Sequence, residues 1–316
     1  MARMSATASL GEHVDRVDRL RLALARVGLP AWFVIIDLLW IVKPITFGID
    51  ARHYQRAASA WLTGGDPWAV YEYDVQYASG PHTLLAYAPT HLVPLQVAVA
   101  IWMLIGAAAA VWVVRRLDLP LWWFAFPPLF HGVWNGNPQT LMLALLMVGS
   151  SVAAVAAAAV KLYALVPLLF RPRQFVAACV VLAASLLIVP WQLYVASGGG
   201  AAGHLEGAWN GSAWRIPILV PAVIVALWVL RRHGGEWWSI PAVWPGTQFY
   251  YVSTVLPVVA RRPILAALTA APVPVMVPAI VIGLAVARVA KTRPGVTIPA
   301  WIRRVTEPDG DALGAQ

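Results

Sequence analysis

Long apolar segments alternate with short polar segments from Pro30 almost to Ala290. The apolar runs are roughly 20 residues long, which is enough for a helix to cross a hydrocarbon core about 30 Å thick. Short polar segments rich in Gly, Pro, Asn and Arg separate them, as turns between helices do. The pattern therefore predicts an all-α, polytopic membrane protein with about eight to ten membrane segments.

The chain divides into three parts by this pattern. Residues 1–28 are polar and arginine-rich with apolar residues at helical spacing, which is typical of a basic amphipathic helix on the cytoplasmic face of a membrane. Residues 29–290 form the predicted transmembrane domain, and residues 291–316 form a polar C-terminal tail. With residues 1–28 inside the cell, the first apolar run leads outward, and Gly48 emerges on the non-cytoplasmic side.

The polar segment from about 48 to 83 contains a second amphipathic element. Its apolar and aromatic residues share one helical face, namely Tyr54, Ala57, Ala58, Trp61 and Leu62. Trp and Tyr prefer the depth of the lipid headgroups. We therefore expect a helix that lies in the plane of the interface within the first outer loop.

Composition and charge support a membrane as the solvent. The 316 residues are 60% hydrophobic and only 12% charged, whereas soluble domains carry about 25% charged residues. The net charge of +9 comes from short basic clusters between apolar runs, such as Arg115-Arg116 and Arg231-Arg232. This is the pattern of cytoplasmic loops under the positive-inside rule, so no nucleic-acid partner is expected. The single cysteine, Cys179, permits no disulfide framework.

Two ionisable residues carry the candidate chemistry. Asp50 follows directly on the first apolar run, with Arg52 and His53 beside it, where a membrane enzyme would meet a substrate at the bilayer surface. Lys161 interrupts an apolar run and lies ten residues before Arg171, about 15 Å along a helix. A lysine at that depth faces an aqueous cavity or a partner, or it extends its amine toward an interface. Glu206 is the one convincing alternative carboxylate in the predicted loops.

Four short motifs resemble those of a known family of membrane enzymes. The first is Gly48-x-Asp50-x3-Tyr54-x2-Ala57, and the second is the turn Gly136-Asn137-Pro138-Gln139. The third is Lys161-Leu162-Tyr163 followed by an apolar run to Arg171, and the fourth is the segment from Trp244 to Tyr251. Together they resemble the polyprenyl-phosphate-mannose-dependent mannosyltransferases of glycosyltransferase family 87, which have the GT-C fold. The chain departs from that pattern in two ways: Ala164 replaces a usual Pro, and Gln248 and Phe249 stand where His is expected.

The resemblance implies a GT-C-like bundle and a transfer reaction on the periplasmic side of the inner (cell) membrane. A sugar, expected to be mannose, would pass from a polyprenyl-phosphate donor to a glycolipid or cell-envelope glycan acceptor. Asp50 would act as the general base. Cations that could receive the leaving phosphate are Lys161, Arg52, His53 and Arg215. Candidate substrate-binding residues are Tyr54, Asn137, Gln139, Tyr163, His131 and Gln248.

Other functions remain open at this point. A transporter or flippase of a lipid-linked saccharide would also explain a buried lysine and a tryptophan-rich outer surface, and a non-enzymatic membrane scaffold is a third possibility. We expect no cofactor, no metal and a monomer in contact with membrane lipid, since Asp50 has no carboxylate near it in sequence. A metal would require that folding bring Asp50 and Glu206 together.

Overall fold

The computed structural model describes residues 24–73, 75–197 and 211–292. Of the predicted segment 1–28, only the π-helical turn Leu24–Gly28 is included. The tail predicted from residue 291 lies outside the described residues, except that the last helix, Met276–Thr292, extends to its beginning. Glu206 also lies outside them.

The described residues are mostly helical, which confirms the all-α prediction. Strands occur among them only as a short antiparallel hairpin, β1 (Tyr71–Glu72) and β2 (Val75–Gln76). The α-helices are α1 Leu29–Ile36, α2 Ile49–Leu62, α3 His82–Tyr87, α4 Leu95–Arg116, α5 Pro127–Trp134, α6 Gln139–Val148, α7 Ser151–Val160, α8 Leu165–Leu168, α9 Pro172–Ser185, α10 Trp191–Ala196, α11 Leu219–Val229, α12 Gly235–Val243, α13 Leu256–Val259, α14 Pro263–Ala270 and α15 Met276–Thr292. A second π-helical turn covers Asp37–Ile41, and 3-10 helices cover Pro44–Thr46, Pro67–Ala69, Ala88–Leu92, Leu121–Ala125, Leu162–Ala164, Ala213–Arg215 and Phe249–Val255.

The predicted apolar runs lie where helices form, but several runs are broken inside. The apolar run at about 84–114, predicted to be the second span, divides into α3, a 3-10 helix and α4, which begins directly after Pro94. Proline lacks a backbone N–H and restricts the residue before it, so it starts new helices and does not continue old ones. The last run is divided in the same way between α14 and α15, in a segment that contains Pro272 and Pro274.

One helix in the described part of the chain, α4, is both long enough and apolar enough to cross a membrane by itself. A second candidate exists if the bent pair Arg26–Ile41 and Pro44–Leu62 counts as one span. Five shorter apolar helical segments have 10–17 residues, among them α6, α7 and α9. The number of crossings therefore stays a prediction.

Helix α2 turns sharply away from the first apolar segment. The angle between the segment that ends at Ile41 and the segment that ends at Leu62 is 83°. Gly48, with a φ of +65°, makes this turn directly before α2 begins. A side chain there would be strained in the left-handed region, and its Cβ would lie 2.7 Å from Val99 Cγ1. The predicted amphipathic helix of the first outer loop is thus present at residues 49–62.

Two pairs of short helices fold back on themselves. In the first hairpin, α6 and α7 are joined at Gly149 and Ser150. The segment after α7 reaches the beginning of α6, where Tyr163 Oη donates a 2.5 Å hydrogen bond to Gln139 Oε1. In the second hairpin, α12 is followed by residues Phe249–Val259, and a Cβ at Gly234 would lie 2.4 Å from Val258 Cγ1. Each leg of the first hairpin has 10 residues, or about 15 Å.

The two hairpins point in opposite directions. The turn of the first hairpin at Gly149 lies beside Arg171, whose guanidinium donates to the Leu146 carbonyl at 2.9 Å and pairs with Glu236 at 2.8 Å. We call this region the turn end. The turn of the second hairpin, Trp244–Gln248, lies at the opposite end, where the Trp244 ring is 5.6 Å from the Tyr163 ring. We call that region the site end.

The apolar core consists of three clusters. The largest joins α1, α4, α5, α11 and α12, with Phe33 packed edge-on against Trp123 and Phe126 at 5.5 and 5.3 Å. The second surrounds the first hairpin, and the third packs α2 against the first outer loop and α4. The polar residues described next lie where the second and third clusters meet.

Candidate active site

The beginning of α2 is fixed to the turn between α5 and α6. Gly48 N–H donates to the Trp134 carbonyl and Asp50 N–H to the Asn135 carbonyl, both at 2.9 Å. The first N–H groups of a helix have no partner within it, so these carbonyls satisfy two groups at the start of α2. Gly136 has a φ of +67°, and a Cβ there would lie 2.7 Å from Ala51 Cβ. The Gly136-Asn137 turn therefore requires its glycine in order to approach α2.

Asn137 connects this turn to Asp50 through its side chain. Its Nδ2 donates to Asp50 Oδ2 at 2.7 Å, while its Oδ1 accepts the Gln139 backbone N–H at 2.9 Å. The carbonyl oxygen is thereby committed to the start of α6, so the NH2 group must face the carboxylate. Asn137 is only 2% exposed, and this buried amide sets the direction of the Asp50 carboxylate.

Gln139 extends the polar contacts to the second hairpin. It is fully buried, accepts from Tyr163 Oη at 2.5 Å and donates through Nε2 to Ser253 Oγ at 3.3 Å. Tyr163 also packs against Tyr251, with the ring centroids 4.3 Å apart. A continuous line of polar contacts therefore runs from Asp50 through Asn137 and Gln139 to both hairpins.

Lys161 lies where α7 ends, in extended backbone with φ −147° and ψ 116°. Its side chain is 4% exposed, its Nζ donates to Tyr54 Oη, and it lies 4.6 Å from the Tyr54 ring centroid and 5.7 Å from that of Tyr163. Tyr54 Oη in turn bonds Ser79 Oγ at 2.6 Å. Asp50 is near enough for its charge to act on Lys161. The sequence left open whether this lysine faces a cavity or a partner, or extends its amine toward an interface. In the structure it contacts polar and aromatic partners.

Arg52 and His53 lie beside Asp50 but contact the outer loop. Arg52 Nε pairs with Glu72 at 2.9 Å, and its Nη1 donates to the Phe47 carbonyl at 2.7 Å. Arg56 pairs with the other oxygen of Glu72 at 2.5 Å. His53 Nε2 lies 3.3 Å from the Val70 carbonyl, and burial lowers the pKa of this imidazole. The structure thus gives these two residues a role in holding the loop, and their predicted contact with phosphate stays a prediction.

The remaining predicted residues are spread more widely. His131 is half-buried, with its ring 5.4 Å from that of Tyr250, a tyrosine on which the charge of Asp50 also acts. Gln248 is half-buried at the beginning of the 3-10 helix Phe249–Val255. Arg215 is exposed in the turn Ala213–Arg215, and among the described contacts none joins it to Asp50 or Lys161.

Several residues of the site were not predicted from the sequence. Ser79 and Ser253 have no local signal, because their partners are 25 or more residues away. Glu72 has none because it lies in a hairpin too short to show a pattern, 20 residues from Arg52. His82 is different, since a histidine at the junction of a polar loop and an apolar run is a visible signal. Within residues 24–73, 75–197 and 211–292, no group of three or more His, Cys, Asp or Glu residues could hold a metal.

Comparison of the chain with protein-family models, with curated protein sequences and with solved structures gives no match.

Proposed function

We propose that this chain is a membrane glycosyltransferase of the kind that its motifs resemble. It transfers a sugar, expected to be mannose, from a polyprenyl-phosphate donor to a glycolipid or glycan acceptor on the non-cytoplasmic face. The observation that carries this proposal is the oriented carboxylate of Asp50, held by Asn137 at 2.7 Å beside the buried amine of Lys161. The charge of Asp50 acts on Lys161, and a base close to a cation is what displacement of a phosphate by a hydroxyl requires.

In the proposed reaction the acceptor hydroxyl attacks the anomeric carbon of the donor sugar. Asp50 takes the hydroxyl proton as the new carbon–oxygen bond forms. The bond between the anomeric carbon and the phosphate oxygen breaks, and its electron pair leaves with the phosphate. Lys161 stabilises that charge. A base on one face of the sugar and a cation on the other favour direct displacement with inversion.

The distribution of basic residues supports the proposed orientation in a membrane. Arg115 and Arg116 end α4, far along the helix from Val99 and Met103, which pack near Gly48. Arg171 marks the turn end of the first hairpin. Under the positive-inside rule the turn end faces the cytoplasm, and the site end faces outward. Helix α2, bent by 83° from the preceding segment, then lies in the interface plane.

Replacement of Asp50 by Asn tests the proposal. We expect sugar transfer from labelled polyprenyl-phosphate mannose to fall by about 10² to 10⁴-fold, because the amide cannot take a proton, while donor binding is retained. Asp118→Asn is the matched control, since Asp118 is exposed and its φ of +54° suits asparagine. Full activity of Asp50→Asn would contradict the role of Asp50, and Glu206→Gln then shows whether that second carboxylate is the base.

A transporter or flippase of a lipid-linked saccharide is the second candidate. The specific observation in its favour is the pair of helix breaks at Lys161 and at Trp244–Gln248, because discontinuous helices frame the substrate sites of many transporters. Purified protein in vesicles distinguishes the two functions. Movement of labelled lipid across the bilayer without chemical change supports the transporter, and formation of a glycosylated acceptor supports the transferase.

A further inference from the structure

His82 is a buried histidine at the edge of the proposed active site. It begins α3, is 2% exposed, and its ring lies nearly parallel to that of Trp191 with the centroids 5.9 Å apart. A Cβ at Gly80 would lie 2.6 Å from His82 Cε1, so the ring rests directly on this glycine. Trp191 and Gly80 thus hold the imidazole from two sides.

Both ring nitrogens of His82 lack a hydrogen-bond partner among the described residues. A buried polar atom without a partner costs about 1–3 kcal/mol of folding stability. Two such atoms on one ring are unfavourable for stability, so their presence points to a role other than stabilising the fold. Burial, and then the positive charge of Lys161, lower the pKa of His82 to about 4. At neutral pH the imidazole therefore carries one donor and one acceptor.

The same loop connects His82 to the residues around Lys161. Ser79 lies three positions before His82, and its hydroxyl bonds Tyr54 Oη at 2.6 Å. Tyr54 Oη also accepts the hydrogen bond from Lys161 Nζ. The charge of Lys161 also acts on His82, so the imidazole lies near the amine that the proposed reaction uses.

We propose that His82 binds hydroxyl groups of the donor sugar and contributes to the choice of that sugar. One ring nitrogen donates to one hydroxyl and the other accepts from a neighbouring hydroxyl, while Trp191 and Gly80 fix the plane of the ring. A sugar presents adjacent hydroxyls that both donate and accept, which is the chemistry that a neutral imidazole matches. This inference rests on the proposed transferase function and adds a specificity-determining residue to it.

The test compares His82→Phe and His82→Gln with the unchanged protein, using polyprenyl-phosphate mannose and its monodeoxy analogues as donors. Phenylalanine keeps the stacking on Trp191 but removes both polar atoms, and we expect kcat/KM to fall by about 10–100-fold. Glutamine restores one donor and one acceptor and should recover part of this loss. His91→Phe is the matched control, because His91 Nδ1 already has Ser59 Oγ as a partner at 2.9 Å.

The deoxy analogues separate sugar binding from a structural role. In the unchanged protein, removal of the hydroxyl that His82 contacts should cost about tenfold in kcat/KM, whereas in His82→Phe the same removal should cost nothing further. Equal costs in both proteins, or full activity of His82→Phe with every donor, would overturn the inference. If His82→Phe does not fold, His82→Leu, which also lacks both polar atoms, takes its place in the same comparison. If the unchanged protein transfers sugar from no polyprenyl-phosphate donor, the proposed function fails, whatever the variants show.

Discussion

Lys161 and Arg171 lie ten residues apart in one apolar stretch, but the structure surrounds them differently. Arg171, at the turn end, meets both oxygens of Glu236 at 2.8 and 2.9 Å and also a backbone carbonyl. Lys161, at the site end, meets a tyrosine hydroxyl and two tyrosine rings. A carboxylate partner neutralises a buried cation, whereas hydroxyl and ring partners leave its charge available. The arrangement of Arg171 therefore suits a structural role, and that of Lys161 suits the binding of an anion.

The sharpest test of this difference is Lys161→Met. Methionine has a similar length and no charge, so we expect sugar transfer to fall by about 10² to 10³-fold, as when a charge-stabilising donor is lost from an active site. The thermal unfolding midpoint, followed by tryptophan fluorescence, should stay the same or rise, because a buried charge has been removed. Normal transfer by Lys161→Met would show that the two cations do not differ in function.

Two glycines with positive φ allow the turn end and the site end to be compared by substitutions that change the backbone. Gly149→Ala, at the turn end, has open space around the new Cβ and should cost about 1 kcal/mol of stability through the backbone alone. Gly136→Ala, at the site end, would place its Cβ 2.7 Å from Ala51 and should cost about 2–4 kcal/mol and disturb Asp50. Chemical denaturation and transfer assays on both variants check this. Similar effects of the two substitutions would contradict the close approach of the Asn137 turn to α2.

Arg171→Met should act on stability and hardly on transfer. The lost charge-assisted hydrogen bonds cost about 2 kcal/mol, and the folded fraction should keep its transfer activity within a factor of about 3, because Arg171 lies at the other end of the hairpin. The double variant Arg171→Met, Glu236→Gln should recover part of the stability, since no unpaired carboxylate remains. A large loss of transfer without a loss of stability would place Arg171 in the site instead.

Tyr54→Phe removes the hydroxyl that links Lys161 to Ser79 and keeps the ring beneath the amine. We expect about a tenfold loss of transfer, the value of one hydrogen bond to a charged group. Tyr71→Phe is the control, because Tyr71 is 56% exposed on the β-hairpin. An unchanged rate for Tyr54→Phe would mean that the ring alone positions the lysine.

The sequence indicated which polar residues lie close together in the structure better than it indicated the helices that hold them. Asp50, Asn137 and Lys161 stood out because a polar group in an apolar chain is conspicuous; in the structure Asn137 donates to Asp50, and the charge of Asp50 acts on Lys161. The break at Lys161 and the return of α7 toward Gln139 depend on packing between distant segments, which no local pattern contains. From the sequence, the segment Glu236 to Ala260 could be a single crossing or two half-helices that meet at Pro245-Gly246; in the structure α12 ends at Val243 and a 3-10 helix begins at Phe249, so the segment is broken there.

The role expected of Arg52 shows where sequence reasoning stops. Its position beside Asp50 suggested a phosphate ligand, but the buried Glu72, twenty residues further along the chain, takes its guanidinium. Such a pair cannot be read from either residue, because each looks like a solvated loop charge in the sequence. His82 was overlooked although its position at the junction of a polar loop and an apolar run is visible in the sequence; its burial, which distinguishes it from an ordinary loop histidine, is visible only in the structure.

The first hairpin carries Gln139 and Lys161 at the open ends of its two legs, and alanines fill the face between them. Ala154, Ala157 and Ala158 pack in one cluster with Met142 and Leu146 of the other leg. Since the distance between packed helices follows the size of the side chains at their contact, these methyl groups act as a spacer of fixed thickness. The separation between the Gln139 amide and the Lys161 amine is therefore set by small side chains inside the hairpin, which themselves carry no polar group.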